Sequence, residues 1–159
     1  MRQDLSARLK SFSFFYSWYC VWCGDTSRPL MHRAAGLMIL SKEFSLPEIA
    51  MLSGCTLGSL RVWRTKTGFF LCCREAEENL ARFICSRANE IGQNWDDFSK
   101  LISVMNRDAA KVLLSAALVD ADNEGEDRLD RLQMTFLTAL RLGFVRLTIA
   151  DPDEERSNV

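Results

Sequence analysis

Residues 45–66 read SLPEIAMLSGCTLGSLRVWRTK and carry the strongest local folding signals in the chain. Ser45 and Glu48 have the spacing of a capping box, in which the serine hydroxyl accepts the glutamate amide and the carboxylate bonds back to the serine amide. Pro47 occupies the first turn, where a backbone amide is not needed for the helical ladder. These signals predict a helix that begins directly after Ser45.

The same stretch has the features of a sharp turn between two helices. Ala50 is small enough for a second helix to cross closely, and Gly54 tolerates a positive φ angle. Thr56 can cap the second helix through its hydroxyl. The apolar residues that would fill the angle between the helices are Ile49, Cys55, Leu60 and Trp63. We therefore predict a helix-turn-helix at residues 46–66.

The sequence EIAMLSGCT at 48–56, followed by LRVW at 60–63, resembles the helix-turn-helix of MerR-type regulators. It is also similar to the N-terminal helix-turn-helix of phage terminase small subunits. The likeness is confined to residues 46–66, and no β-wing follows it. It implies a DNA-binding protein whose recognition helix, over residues 57–66, enters the major groove of the duplex.

The resemblance also implies which side chains contact double-stranded DNA. Arg61 would pair with the two acceptors of a guanine, whereas Arg64 and Lys66 would bind phosphates. Thr56 and Ser59 would add neutral hydrogen bonds. The implied function is a transcriptional regulator or a phage-type packaging or replication accessory factor.

Apolar residues on the same helix favour a different use of the fold. Leu57, Gly58 and Val62 are expected to be exposed, and none of them has a side chain that donates a hydrogen bond. An exposed apolar face is typical of a protein-binding surface. The alternative function is a non-enzymatic adaptor or chaperone-like protein that binds its partner through Leu57 and Val62.

Composition and charge limit the function further. The 159 residues are 48% hydrophobic with a formal net charge of −1, which excludes wholesale disorder and a globally basic nucleic-acid binder. Residues 1–70 nevertheless carry nine basic and four acidic side chains, a net charge of +5, against 11 and 17 in the remainder, a net charge of −6. This asymmetry indicates either an anionic partner on the basic side or a solvated acidic face.

The residue types also argue against catalysis. His32 is the only histidine, so a catalytic site built from several histidines is excluded. No nucleophile–base arrangement or glycine-rich phosphate loop can be assembled from the other residues. We predict no enzymatic activity, no catalytic residue and no cofactor, and we expect His32 to be a surface or partly buried polar residue.

Two metal patterns have simpler interpretations. Cys20-Val-Trp-Cys23 with Cys72-Cys73 could supply four thiolates to zinc, but buried structural cysteines explain them as well. The segment from Asp120 begins like a calcium-binding loop, yet its twelfth position is Arg131 instead of glutamate, so we predict an acidic turn between helices and no metal site. Six cysteines in a chain long enough to form its own core favour reduced thiols in the cytoplasm.

The remaining pattern predicts one compact all-α domain over residues 1–150 and a flexible acidic tail over 151–159. The aromatic run at 12–23 predicts a buried or dimerising helix, which suggests a homo-oligomer; the alternative is a signal or membrane-surface segment, and the run is too short to span a membrane. Further helices are expected over 30–43 and 74–91, after candidate N-caps Asn94 and Asn106, and through 129–140. Alternating apolar residues at 145–149 suggest a short strand.

Overall fold

The computed structural model describes residues 2–24, 29–87, 90 and 93–124. Within this part the chain forms α-helices and a 3-10 turn without any β-strand, which confirms the all-α fold class there. The helices are α1 (Arg2–Ser11), α2 (Ser13–Trp22), α3 (Leu30–Leu37), α4 (Leu46–Ser53), α5 (Leu57–Trp63), α6 (Thr67–Cys85), α7 (Trp95–Val104) and α8 (Arg107–Glu124), and the 3-10 turn is Met38–Leu40.

Three expectations for the end of the chain lie outside the described residues: the helix through 129–140, the strand at 145–149 and the tail at 151–159. None of the helices described is both long and apolar enough to cross a membrane.

α6 is the central helix, and it packs most extensively against α8 and α3. Its buried face carries Phe69, Ala76, Leu80 and Ile84, a spacing that places side chains on one side of a helix. Because Phe69 already belongs to this face, the helix begins at Thr67 and not at residue 74 as predicted. It ends at Cys85, before the predicted end at residue 91.

The aromatic run forms the single helix α2 (Ser13–Trp22), which confirms the helix predicted over 12–23, and α1 precedes it without having been predicted. The chain bends at Phe12, whose ψ angle of 76° lies outside the helical range and whose side chain is buried. α2 is covered by α3, α6 and α7 of the same chain, and the indole Nε1 of Trp18 donates to Asn79 Oδ1 at 2.8 Å. A second subunit is not needed to bury this helix, so the reason for predicting a dimer through it is lost.

Asn106 explains why the helix predicted over 30–43 ends early. Its Nδ2 donates to the carbonyl oxygen of Met38 at 2.8 Å, and its amide donates to that of Ile39 at 2.8 Å. These carbonyls are thereby bonded outside the α-helical ladder, and α3 gives way to the 3-10 turn. Asn106 Oδ1 also accepts the amide of Ala109 at 2.8 Å, which confirms the predicted N-cap of α8.

Two expectations for the second half of the described chain are wrong. Asn94 precedes α7 but makes no side-chain cap bond, and its Nδ2 donates to the carbonyl oxygen of Glu90 at 3.0 Å. α8 is helical as far as Glu124, so no turn begins at Asp120. The irregular backbone that a calcium-binding loop requires is therefore not formed over 120–124.

Candidate nucleic-acid interface

α4 begins with the capping box that the sequence predicts. Ser45 Oγ accepts the amide of Glu48 at 3.4 Å, and Glu48 Oε1 accepts the amide of Ser45 at 3.0 Å. Pro47 lies in the first turn, as expected. The Ser45 amide contributes most to holding the pKa of the Glu48 carboxyl below its usual range, and Arg8 adds to this effect.

Gly54 makes the turn between α4 and α5. It ends α4 in the left-handed conformation with a φ angle of 84°, as the sequence predicts. The amides of Gly54 and Cys55 both donate to the carbonyl oxygen of Ala50 at 3.0 Å, which closes the turn. A side chain at Gly54 would have space, with only Leu30 Cδ2 nearby at 3.8 Å, so backbone conformation is what requires glycine.

The predicted apolar residues fill the angle between α4 and α5. All of them are buried or partly buried in one cluster: Ile49, Ala50, Cys55, Leu60 and Trp63. The Trp63 ring stacks on Phe69 of α6 with centroids 6.2 Å apart, and α3 contacts both α4 and α5. The inner side of α5 is therefore fixed by neighbouring helices, and only its outer side is available to a ligand.

Thr56 caps α5 as predicted. Its Oγ1 accepts the amide of Ser59 at 3.0 Å, and its hydroxyl donates to Ser59 Oγ at 2.9 Å. The hydroxyl proton of Thr56 is thus committed to the start of the helix. Ser59 accepts that bond and keeps its own proton, so Ser59 is the hydroxyl of the two that can donate to a ligand.

Three cations of the α5 region face solvent. Arg61, Arg64 and Lys66 are exposed, and no carboxylate in the described part of the chain forms an ion pair with any of them. Arg61 and Arg64 are three residues apart, a spacing that places side chains near one another on a helix surface. The outer side of α5 therefore carries positive charge that is not neutralised within the described structure.

The apolar residues of α5 divide into two groups. Gly58 is exposed and Val62 is 55% exposed, as expected. Leu57 packs against the hydrophobic core, so the prediction that it faces outward is wrong. The cluster between the helices extends to the first residue of α5, which leaves Val62 as the exposed apolar side chain on this helix.

Two further exposed apolar residues were not predicted. Phe70 is 59% exposed and Leu71 is 60% exposed, both in the first turns of α6. Their neighbours Phe69, Cys72 and Cys73 belong to the core or pack against it. In a continuous apolar run, the sequence alone does not indicate which side chains face solvent.

Arg8 connects α1 to the start of α4, a role that sequence reasoning missed. Its guanidinium donates to Glu43 Oε1 at 2.9 Å, to the Glu43 carbonyl oxygen at 3.0 Å and to Glu48 Oε2 at 3.0 Å. The same group lies over the Phe44 ring, 4.8 Å from its centroid. Sequence patterns could not indicate these contacts, because Glu43 and Glu48 are 35 and 40 positions from Arg8.

The cysteines do not form the zinc site considered from sequence. No disulfide joins the six of them, all of which lie in the described part. The residues described contain no group of three or more His, Cys, Asp or Glu side chains placed to hold a metal ion. His32 is buried, with its ring stacked on Trp22 at a centroid distance of 3.6 Å.

Comparisons with known proteins do not assign the chain to a family. No protein-family model, no curated protein and no solved structure matches this chain. Membership of the helix-turn-helix superfamily consequently stays a prediction from the motif. The functional argument depends on the geometry of α4, the turn at Gly54 and α5, which together we call the α4–α5 unit.

Proposed function

We propose that the chain binds double-stranded DNA, with α5 of the α4–α5 unit as the recognition helix. The observation that supports this most is the division of α5 into two sides. Leu60 is buried on the inner side, whereas Arg61 and Arg64 are exposed and have no acidic partner among the described residues. Exposed cations on a short helix held against a second helix suit a duplex, whose phosphates carry the complementary charge.

The residues of the unit differ in what they would contribute. Arg61 suits a guanine edge, where a bidentate contact is worth about 1–3 kcal/mol of discrimination against other bases. Arg64 and Lys66 suit phosphates, which position the protein without selecting a sequence. Ser59 keeps a hydroxyl proton for an acceptor, and Thr56 acts through the helix cap.

The biological role that fits this activity is a non-enzymatic one. We propose a transcriptional regulator or a phage-type accessory factor in the cytoplasm, where cysteines without disulfides are the usual state. We also propose that it acts as a homo-oligomer on DNA, because paired recognition helices about 34–36 Å apart reach successive major grooves. Sedimentation of the protein with and without duplex tests the oligomer.

The experiment that tests DNA binding is selection from a random pool of duplexes, followed by a salt titration of the enriched sequence. With two or three phosphates neutralised, the association constant should fall about 10- to 40-fold between about 50 and 200 mM monovalent salt. The protein should also prefer the selected duplex over an unselected one at each salt concentration. Absent binding, or binding that does not respond to salt, would contradict the proposal.

A second candidate function is favoured by the exposed apolar side chains. Val62, Phe70 and Leu71 are each more than half exposed, on α5 and at the start of α6. A surface of this kind suits an adaptor or chaperone-like protein that binds another protein. Co-purification with a stoichiometric protein that survives nuclease treatment would favour this function, and a nuclease-sensitive complex would favour DNA binding.

A further inference from the structure

A thiol and an imidazole meet where α6 packs on α3. Cys72 Sγ lies 3.7 Å from Nδ1 of His32, although the two residues are 40 positions apart in the chain. Cys72 is partly exposed, although it packs against the hydrophobic core. An imidazole in contact with a thiol can accept its proton, and the thiolate that results is the nucleophilic form of cysteine.

The imidazole is held in place by its surroundings. The His32 ring stacks on Trp22 with an interplanar angle of 16°, and Trp22 Nε1 donates to the His32 carbonyl oxygen at 2.9 Å. Gly36 leaves room for that indole, because a Cβ there would lie 2.9 Å from its ring atoms. His32 is therefore positioned against the thiol by packing that does not depend on any ligand.

The neighbouring Cys73 is also partly exposed, but no imidazole lies beside it among the contacts described. Burial, followed by the effects of Cys72 and Glu77, raises the pKa of Cys73 to about 12. Cys73 is therefore a neutral, unreactive thiol near neutral pH. Cys72 and Cys73 are therefore a matched pair for comparison. Among the contacts described, only the sulfur of Cys72 has an imidazole beside it.

We propose that Cys72 is a site of thiol modification by low-molecular-weight disulfides, with His32 as its proton acceptor. In this reaction the Sγ proton of Cys72 passes to His32 Nδ1, and the thiolate attacks one sulfur of the disulfide. A new S–S bond forms as the old one breaks, and the second half of the reagent leaves as a thiolate that takes up the proton. The exchange is balanced without any further oxidant.

The test is incubation of the full-length protein with oxidised glutathione, followed by peptide mass mapping of all six cysteines over time. Cys72 should acquire the adduct first, ahead of the more exposed Cys20 and at least about 10-fold faster than Cys73. His32→Gln should slow the adduct at Cys72 at least about 10-fold while leaving the rate at Cys20 unchanged. Faster reaction at Cys20 in the wild type, or an unchanged rate at Cys72 in His32→Gln, would overturn the proposal.

If His32→Gln fails to fold, the role of His32 is tested by measuring how the rate of adduct formation at Cys72 in the wild-type protein depends on pH. For an unassisted thiol with a pKa of about 8.5, the thiolate fraction, and with it the rate, falls about eightfold between about pH 8 and pH 7. With His32 as proton acceptor, the rate at Cys72 should instead fall less than about threefold between about pH 8 and pH 7. A fall at Cys72 of more than about threefold over that unit, up to the roughly eightfold fall of an unassisted thiol, would contradict the assistance by His32.

Discussion

Two carboxylates in this protein lie in opposite environments, Glu48 at the start of α4 and Glu77 in the middle of α6. Glu48 accepts hydrogen bonds from Ser45 and Arg8, and these interactions lower its pKa. Glu77 is 6% exposed, and its Oε2 has no hydrogen-bond partner in the structure described. Burial raises its pKa to about 7, and the nearby charge of Asp108 on α8 adds to the increase.

The difference shows how the two regions are built. The α4–α5 unit is specified by short-range signals, and its carboxylate takes part in a cap that the sequence already predicts. The contact between α6 and α8 forms between distant segments, and it buries a carboxylate without a full set of partners. The first region should therefore respond to changes of single local contacts, and the second to changes in packing and pH.

The largest effect is expected in the core between α6 and its neighbours. Leu80→Ala should lower the free energy of unfolding by about 2–5 kcal/mol, because it leaves a cavity beside a fully buried side chain. Urea denaturation measures this loss. The exposed neighbour Arg82, changed to Ala, is the control and should shift stability by no more than about 0.5 kcal/mol. A loss below about 1 kcal/mol for Leu80→Ala would mean that the α6 contact is not the main core.

The next effect concerns the pH dependence caused by Glu77. Its pKa of about 7 in the folded state exceeds the usual 4.5, so the unfolded chain loses this proton first as pH rises. The stability should therefore fall by about 3 kcal/mol for this group between about pH 4.5 and 7 and level off above that. Arg74 partly opposes the shift, and Glu78 adds to it.

The variant that tests this is Glu77→Gln, followed by urea denaturation across the same pH range. Without the titratable group, stability should fall less as the pH rises, and the variant should be more stable than the wild type at about pH 8. Glu48→Gln is the matched control with the opposite sign. Glu48→Gln should be less stable than the wild type above the usual pKa of 4.5, and this difference should disappear as the pH falls. The reason is that the fold stabilises the charged form of Glu48. If the free energy of unfolding depends on pH in the same way in Glu77→Gln and in the wild type, the raised pKa of Glu77 is contradicted.

The turn of the α4–α5 unit should show an intermediate effect. Gly54→Ala should cost about 1–2 kcal/mol, because alanine strains a backbone with a φ angle of 84°. Gly58→Ala is the internal control, since it lies within α5 with space around its Cα and should stabilise by about 0.5–1 kcal/mol. Thermal unfolding of the two variants should move in opposite directions, and a shift of both in the same direction would contradict the assigned turn.

The smallest effect is expected at the cap of α4. Ser45→Ala should cost about 1 kcal/mol, because the amide of Glu48 loses its acceptor. Ser115, exposed on α8, supplies the control substitution to alanine and should leave stability within about 0.5 kcal/mol of wild type. Equal unfolding midpoints for the two variants would show that the capping box contributes nothing measurable.

The structure was predictable where neighbours in sequence determine it. The Ser45 cap, the positive φ angle at Gly54 and the Thr56 cap each depend on residues at most four positions apart, and all three are confirmed. The burial of His32 depends on contacts with other segments, the ring of Trp22 on α2 and the sulfur of Cys72 on α6. No periodicity in the sequence carries that information.

The same distinction holds within the candidate site. The spacing of Arg61 and Arg64 indicated two cations on one side of a helix, and both are exposed. Leu57 was misplaced because its exposure depends on how far the cluster between α4 and α5 extends. Arg8 was missed because its acidic partners come from another part of the chain.

The most direct test of the proposed function compares two variants that each remove two positive charges. Arg61→Ala/Arg64→Ala removes them from α5, whereas Arg82→Ala/Lys111→Ala removes exposed charges from α6 and α8, with Arg82 about 22 Å along α6 from its start. Fluorescence anisotropy with the selected duplex at about 50 mM salt should show binding abolished in the first variant and changed less than about threefold in the second, with both proteins folded. Equal losses in the two variants, or full affinity without Arg61 and Arg64, would contradict DNA recognition by α5.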